Sequence, residues 1–455
     1  KPSSGTLGFF QKPPILQNQF EEDTVLREIF NFYFPRNSPY HEDLQQPLTS
    51  FGDYVLSPFI LDLVEDAEHN PPRLTTHTTF AVPKSKLITS HGWRALQSIG
   101  TSQGIVSIPY EGAEGHLSRM HQFVKYHLWS ASCAITTCPA AMTDGAASLL
   151  HRHSGKNELF ENAFSRLTSR NASQAWTSGQ WMTERTGGSD VSGTETIATP
   201  INGQDAWSIS GFKFFSSAAD SNITILLAQT KEGLSAFLAH LPQENAITVQ
   251  RLKNKVGTRP LPTAELVLTN MKGYLIGTPG SGIREISTML NITRIHTAIS
   301  ALGFWGRGLA IARAYARVRH VARGALLGEL PNHQETMALL HTRYAAHMHL
   351  GYFVVYLFGI VEAEESSFPS EVVLGIKTLS QAALLLRLLT PVLKAQASLA
   401  AVHGLYDAMQ MLGGIGYLEE DMHLNIARLW RDTAVLPIWE GTVDVLAIDT
   451  RRVLE

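Results

Sequence analysis

The sequence predicts an α+β multidomain fold. An N-terminal mainly helical domain covers residues 1–175, a central antiparallel β-barrel or sandwich domain 176–285, and a C-terminal helical bundle domain 286–455. Two changes of texture and one number support this. Short β-rich runs separated by Gly, Asn, Asp and Pro begin near residue 176, and long Ala/Leu/Arg-rich stretches begin near 286. The 455 residues leave room for about two to four domains. A composition of 44% hydrophobic and 17% charged residues is that of a soluble globular chain with ample core material.

In the first unit, HLSRMHQFVKYHLWSASCAI (116–135) places apolar residues at helical spacing. In the second, AWSISGFKFFSS (206–217), ITILLAQT (223–230), SAFLAHL (235–241) and TAELVLTN (263–270) read as short strands of a small antiparallel sheet or barrel. In the third, residues 301–322, 337–364 and 371–412 read as long helices, the last interrupted near Pro391. The apolar run LGYFVVYLFGIV (350–361) is too short to span a bilayer and reads as a buried helix, so no membrane partner is expected.

Several function classes lose weight on composition. A formal net charge of -3 carries no global basic excess, which disfavours nucleic acid as a partner. Cys133 and Cys138 do not make a disulfide framework and read as reduced thiols of an intracellular, most simply cytoplasmic, protein. The chain begins at Lys1 rather than Met, which leaves room for a removed targeting segment and an organelle. Sequons at Asn171, Asn222 and Asn291 read as chance matches. No metal is expected: His341, His347 and His349 are offset by six and eight residues, which puts them on different helix faces.

Three stretches carry chemistry. WMTERTGGSDVSG (181–193) puts four hydroxyls, two carboxylates and three glycines together where the first helical region passes into the β unit. Glycine lets backbone N–H groups approach a ligand, and Ser/Thr hydroxyls add donors beside them; an ordinary surface turn uses the same residue types. GFKFFSS (211–217) ends a strand with two aromatics and two hydroxyls. QMLGGIGYLEED (410–421) closes a long helix, and RDTAVLPIWEGT (431–442) follows it. The glycine run follows a helix and so is not a dinucleotide fingerprint, which follows a strand; alone it reads as a helix C-cap.

Taken together, TERTGGSDVSG, GFKFFSS and QMLGGIGY…RDTAVLPIWEGT resemble, in order and spacing, the signatures of the acyl-CoA dehydrogenase superfamily. GFFQKPPILQNQF (8–20), CAITTCPAAM (133–142) and RLKNKVGTR (251–259) are similar to its AidB-like branch. The resemblance covers nearly the whole chain.

That resemblance implies an FAD-binding oxidoreductase with the cofactor between the β unit and the bundle. Carried over residue by residue, it puts Met182, Thr183, Gly188 and Ser189 along the flavin ring and pyrophosphate. Phe215 would stack beside the isoalloxazine, with Ser216 and Ser217 as donors near its reactive edge. Arg319, in the helix 315–322, would face the phosphates. Gln410 and Gly414 would reach the adenine half of the FAD of a neighbouring subunit, hence a homo-oligomer, dimer or tetramer. Trp439, Thr442 and Asp444 would close the site. Glu440 falls at the catalytic-base position, removing the α-proton of an acyl thioester while the β-hydrogen leaves as hydride to flavin N5. Other branches carry the base just before a bundle arginine; Thr293 precedes Arg294 here, leaving Glu440 without a rival.

The family's Phe-Gly pair after the phosphate arginine is replaced by Ala322 and Arg323, and the loop between GYLEE and ARLWRDT is longer than usual. The substrate is expected to be an acyl thioester or a related small molecule with an acidified C–H. Two alternatives share the fold: an AidB-like protective flavoprotein that binds nucleic acid or detoxifies alkylating agents, and a flavin monooxygenase. The net charge of -3 and the lack of a basic tail after Glu455 weigh against nucleic acid, and the retained Glu440 weighs against a monooxygenase.

Overall fold

A computed structural model describes the chain except residues 1, 156, 244, 322–323 and 364–374, and the side chain of Met422. The altered Ala322–Arg323 segment therefore lies outside the described residues.

The N-terminal region contains α1 (Gln19–Glu22), α2 (Thr24–Tyr33), α3 (His41–Tyr54), α4 (Pro58–His69), α5 (His91–Ser102), α6 (Ile108–Glu111), α7 (Ser118–Ser130), α8 (Thr137–His151) and α9 (Glu158–Leu167). Asn18, Asp23, Ser90 and Asn157 cap helix starts by accepting from free N–H groups. The helix read over 116–135 stops at Ser130, because Ala134 and Ile135 take positive φ and turn the chain into α8. Between α4 and α5 lies an antiparallel hairpin, β1 (Arg73–His77) and β2 (Pro83–Ile88), which the sequence reading did not anticipate.

The β unit comprises β3 (Ser178–Trp181), β4 (Ile197–Pro200), β5 (Trp207–Ser217), β6 (Ile223–Thr230), β7 (Gly233–His240), β8 (Ile247–Leu252) and β9 (Thr263–Ile276). Their order β3-β6-β4-β5-β9-β7 closes on itself through β6–β7, with β8 paired to β9. Most pairs are antiparallel as expected; β3–β6 and β4–β6 are parallel. The buried side of β6, β7 and β9 supplies Leu226, Ala228, Phe237, Ala239, Leu266 and Leu268 to the barrel core.

The C-terminal unit holds α10 (Gly282–Ala316), α11 (Pro331–Glu362), α12 (Leu379–Leu412), α13 (Ile426–Thr433) and α14 (Val443–Leu454). Two sequence expectations fail here. Helix α12 runs unbroken through Pro391; the missing hydrogen bond is tolerated because Thr390 and Pro391 are buried where α12 packs on α10 and α11. Arg319 is not in a helix. The chain leaves α10 at Arg317 and reverses, with Gly324 at φ +79° and Leu327 N–H donating to Arg319 O at 2.8 Å. The run 350–361 lies in α11 and is mostly buried. The stretches Pro331–Glu362 and Leu379–Tyr417 are long and apolar enough to cross a membrane by length and composition alone.

A buried polar network ties the N-terminal helices to the bundle. Arg119 (α7) is 2.6 Å from Asp144 (α8) and pairs with Glu362 (α11), and His296 (α10) is 2.7 Å from Asp144. Burial pushes the Asp144 carboxyl up, but Arg119 and His296 outweigh it and hold it well below the usual range.

Candidate active site

The cradle begins where β3 ends. Met182 is buried, and Thr183 O accepts from Phe214 N–H at 2.9 Å, which stitches the loop to β5. Glu184 then dives inward to a fully buried Lys213, 2.6 Å from its Oε1. Thr196 Oγ1 donates to the same carboxylate at 2.5 Å and Glu195 N–H at 2.6 Å. Burial pushes both partners toward neutrality; the Lys213 charge and the donors still hold Glu184 below the ordinary carboxylate range. Sequence reasoning gives neither residue a role, although both lie inside its motifs.

This anchor lets the outer loop fold back on itself. A Cβ on Gly188 would stand 2.9 Å from Thr183 Cγ2 and Oγ1, so any larger residue displaces the Thr183 side chain. Gly188 and Ser189 are exposed, and no acceptor takes their N–H groups among the described residues.

On β5 the register against β9 shifts between Lys213 and Ser216, a bulge that inserts one extra residue. Lys213 and Ser216 therefore both point inward, while Phe214 and Phe215 share the outer side. Lys253 Nζ caps both rings, 3.4 Å and 4.4 Å from their centroids. Phe215 is 46% exposed. The bulge gives Ser216 and Ser217 different surroundings. Ser216 Oγ is buried without a partner among the described residues, whereas Ser217 Oγ lies 3.2 Å from Thr263 Oγ1.

Glu440 lies in the turn between α13 and α14. Its φ is +57°, followed by Gly441 at +100°. Thr293 Oγ1, from α10, donates to Glu440 Oε2 at 2.7 Å. Arg294 Nε donates to Glu440 O at 3.2 Å, and Lys394 Nζ to Gly441 O at 2.6 Å. Arg294 also meets Asp449 at 2.8 Å. Burial pushes the Glu440 carboxyl above its ordinary value, against the pull of Thr293, Arg294 and Lys394. Trp439 precedes it, its indole N–H buried and without a partner among the described residues. Thr442 caps α14 and is exposed, as is Asp444 in its first turn.

The end of β5 and the Glu440 turn are linked electrostatically through Cys138. Thr263 Oγ1, which meets Ser217, also accepts from Lys255 Nζ at 3.0 Å. The charges of Lys255 and Glu440 both act on the thiol of Cys138 at the start of α8. Burial, with Glu440 adding, pushes that thiol to about 12 despite Lys255, so it stays protonated. The β unit is locked to the bundle beside this point, where Thr258 N–H donates to Asp432 Oδ1 at 2.6 Å.

Arg319, Gln410 and Gly414 are not brought to Glu440 within one chain. Helices α10 and α12 run parallel: Arg294 and Lys394 share the Glu440 turn, and Gly308 faces Leu405. At 1.5 Å per residue, Ala316 lies roughly 35 Å along α10 from Thr293. Gln410, Gly414 and Arg319 thus lie toward the other end of the bundle from Glu440. Arg319 Nη1 is 3.3 Å from Gln11 Oε1, and Gly414 has open space where a Cβ would be.

The residues present fit a flavin nucleotide. Free N–H groups and a glycine cradle suit a pyrophosphate, an exposed Phe215 suits a ring, and the buried orphan donors at Ser216 and Trp439 await an acceptor. Among the described residues no cluster of His, Cys, Asp and Glu is arranged to hold a metal ion.

Comparison with known proteins gives the same pattern along the chain. Residues 11–173 match the AidB N-terminal domain, 179–271 the acyl-CoA dehydrogenase middle domain, and 280–454 the acyl-CoA dehydrogenase C-terminal domain. Acyl-CoA dehydrogenase family member 11 of Caenorhabditis elegans is 38% identical over 466 residues, spanning 98% of this chain and 72% of the relative. AidB of Escherichia coli (strain K12) is 28% identical over 418 residues, spanning 90% of this chain and 73% of AidB. A crystal structure of Caenorhabditis elegans ACDH-11 in complex with C11-CoA superposes with a TM-score of 0.91 at 37% identity, covering 100% of this chain and 76% of that one.

Proposed function

The chain belongs to the acyl-CoA dehydrogenase family, and on that premise we propose that Glu440 is the base that removes the α-proton of an acyl-CoA thioester in an FAD-dependent dehydrogenation. The observation that carries this reading is the Glu440 turn: a carboxylate on a left-handed residue, oriented by Thr293 at 2.7 Å and raised by burial. A base is most effective when its pKa approaches the working pH, and burial moves Glu440 in that direction. The ACDH-11 complex with C11-CoA supports an acyl-CoA as the substrate class.

FAD, when bound, supplies the two-electron acceptor. Met182, Thr183, Gly188, Ser189, Phe215, Ser216 and Ser217 would hold its ring and pyrophosphate, with Trp439 closing the site. The chain's own work is then positional. Thr293 orients one carboxylate oxygen of Glu440, leaving the other for the substrate α-proton. Burial of the turn raises the carboxyl and keeps it basic.

Arg319, Gln410 and Gly414, at the other end of the bundle, would complete the cofactor site of a second copy in a homo-oligomer. Apolar residues exposed beside Gly414, Ile415 at 47% and Tyr417 at 80%, support contact with such a copy. The test of the reading is an anaerobic visible spectrum of the purified protein, before and after a panel of acyl-CoA esters. Bound flavin that bleaches with one ester upholds it; bound flavin that none of the panel bleaches overturns it.

A further inference from the structure

Lys394 lies in the middle of α12 with 0% of its surface exposed. A buried ammonium is expensive and normally meets a carboxylate directly. Here the hydrogen bond of Nζ goes instead to a backbone carbonyl, Gly441 O at 2.6 Å. The preceding carbonyl, of Glu440, accepts from Arg294 at 3.2 Å. Two cations on two different helices thus grip consecutive carbonyls of one turn. That turn needs gripping: Glu440 at φ +57° is a left-handed non-glycine residue, a conformation that persists only where the surroundings impose it.

We propose that Lys394 is a positioning residue for Glu440: its buried ammonium fixes Gly441 O, keeps Glu440 left-handed with its carboxylate on Thr293, and supplies that carboxylate's countercharge. This rests on the reading of Glu440 as the base. The groups facing Lys394 are Glu440 from the turn and Arg294 from α10; beyond Arg294 stand Asp449 of α14 and Arg387 of α12. The Cys138 thiol faces Glu440 from α8. Burial lowers Lys394 to about 7, with Glu440 opposing and Arg294 adding. The lysine therefore binds its proton more weakly folded than unfolded, and its charge opposes folding below the ordinary lysine value. A charge held against stability in this place fits a role in the reaction.

The test compares Lys394→Met, which removes donor and charge, with Lys394→Gln, which keeps a donor. Lys394→Met slows anaerobic flavin reduction by roughly tenfold or more and moves its acid limb up by about one pH unit, while the Kd for the same acyl-CoA stays within about threefold of wild type. Lys394→Gln shows the shifted limb with a smaller loss of rate. Crystal structures, which need no turnover, show Glu440 leaving positive φ in the Met variant. The rise in unfolding midpoint from pH 7 to 10 is also smaller in Lys394→Met, because the folded lysine no longer releases a proton there. A Met variant with wild-type rate, limb and Glu440 φ overturns the proposal. If no acyl-CoA reduces wild-type flavin, the base reading falls separately, and an unmoved turn in the Met crystal structure overturns the clamp by itself.

Discussion

Thr293 Oγ1 donates to Glu440 Oε2 at 2.7 Å across 147 residues of chain, from a buried helix to a strained turn. The position before Arg294, where a base would otherwise be looked for, thus holds a hydroxyl that serves the base. Burial raises the Glu440 carboxyl, and the Thr293 hydroxyl opposes the rise more than Arg294 or Lys394 does.

Removing that hydroxyl raises Glu440 further. A base must be ionised, so the rate climbs as pH rises through the Glu440 pKa. In Thr293→Val the acid limb of flavin reduction should move up by about one pH unit, the equivalent of ~1.4 kcal/mol. A pH profile of single-turnover bleaching checks this. An unmoved limb would show that the Thr293 bond does not bear on the base.

Lys213→Met should destabilise the protein by about 3–5 kcal/mol, since it strands a buried Glu184 carboxylate. Denaturant unfolding measures the loss. Adding Glu184→Leu should recover part of it, because the stranded charge then goes too. A loss under about 1 kcal/mol would assign the pair the weight of a surface ion pair.

Gly188→Ala forces a methyl to within 2.9 Å of Thr183. Overpacking of this kind costs roughly 1–3 kcal/mol, and the relief displaces Thr183 from the cradle wall. The variant should retain its far-UV circular dichroism and lose flavin, read as the ratio of visible to 280 nm absorbance. Full flavin occupancy would remove Gly188 from the cradle.

The fold was legible because its signals are local. Strand β6 (Ile223–Thr230) coincides with the run read from sequence, and β5 and β9 begin within one residue of theirs. Boundaries failed where tertiary contacts decide them. The pattern YARVRHVA continues a helical period past Ala316, but the reversal that pairs His320 with Leu326 wins. Pro391 reads as a break, and burial between two long helices overrides it. The site residues that were missed are partners rather than motif positions. Lys213 lies inside GFKFFSS, and a lysine within a strand carries no local sign that it turns inward; the bulge at 213–216 beside it is a register event. Lys394, 46 residues before Glu440, stands in an Ala/Leu-rich helix whose only clue is a charge on an otherwise apolar stretch.

The central claim is that Glu440 takes the proton, and Glu440→Gln tests it most directly. The variant keeps the size of the side chain and a group for Thr293, so flavin content should match wild type. With an acyl-CoA that bleaches wild-type flavin anaerobically, the variant should bleach about 10²–10⁴-fold more slowly. Bleaching at the wild-type rate, with flavin fully bound, would contradict the account.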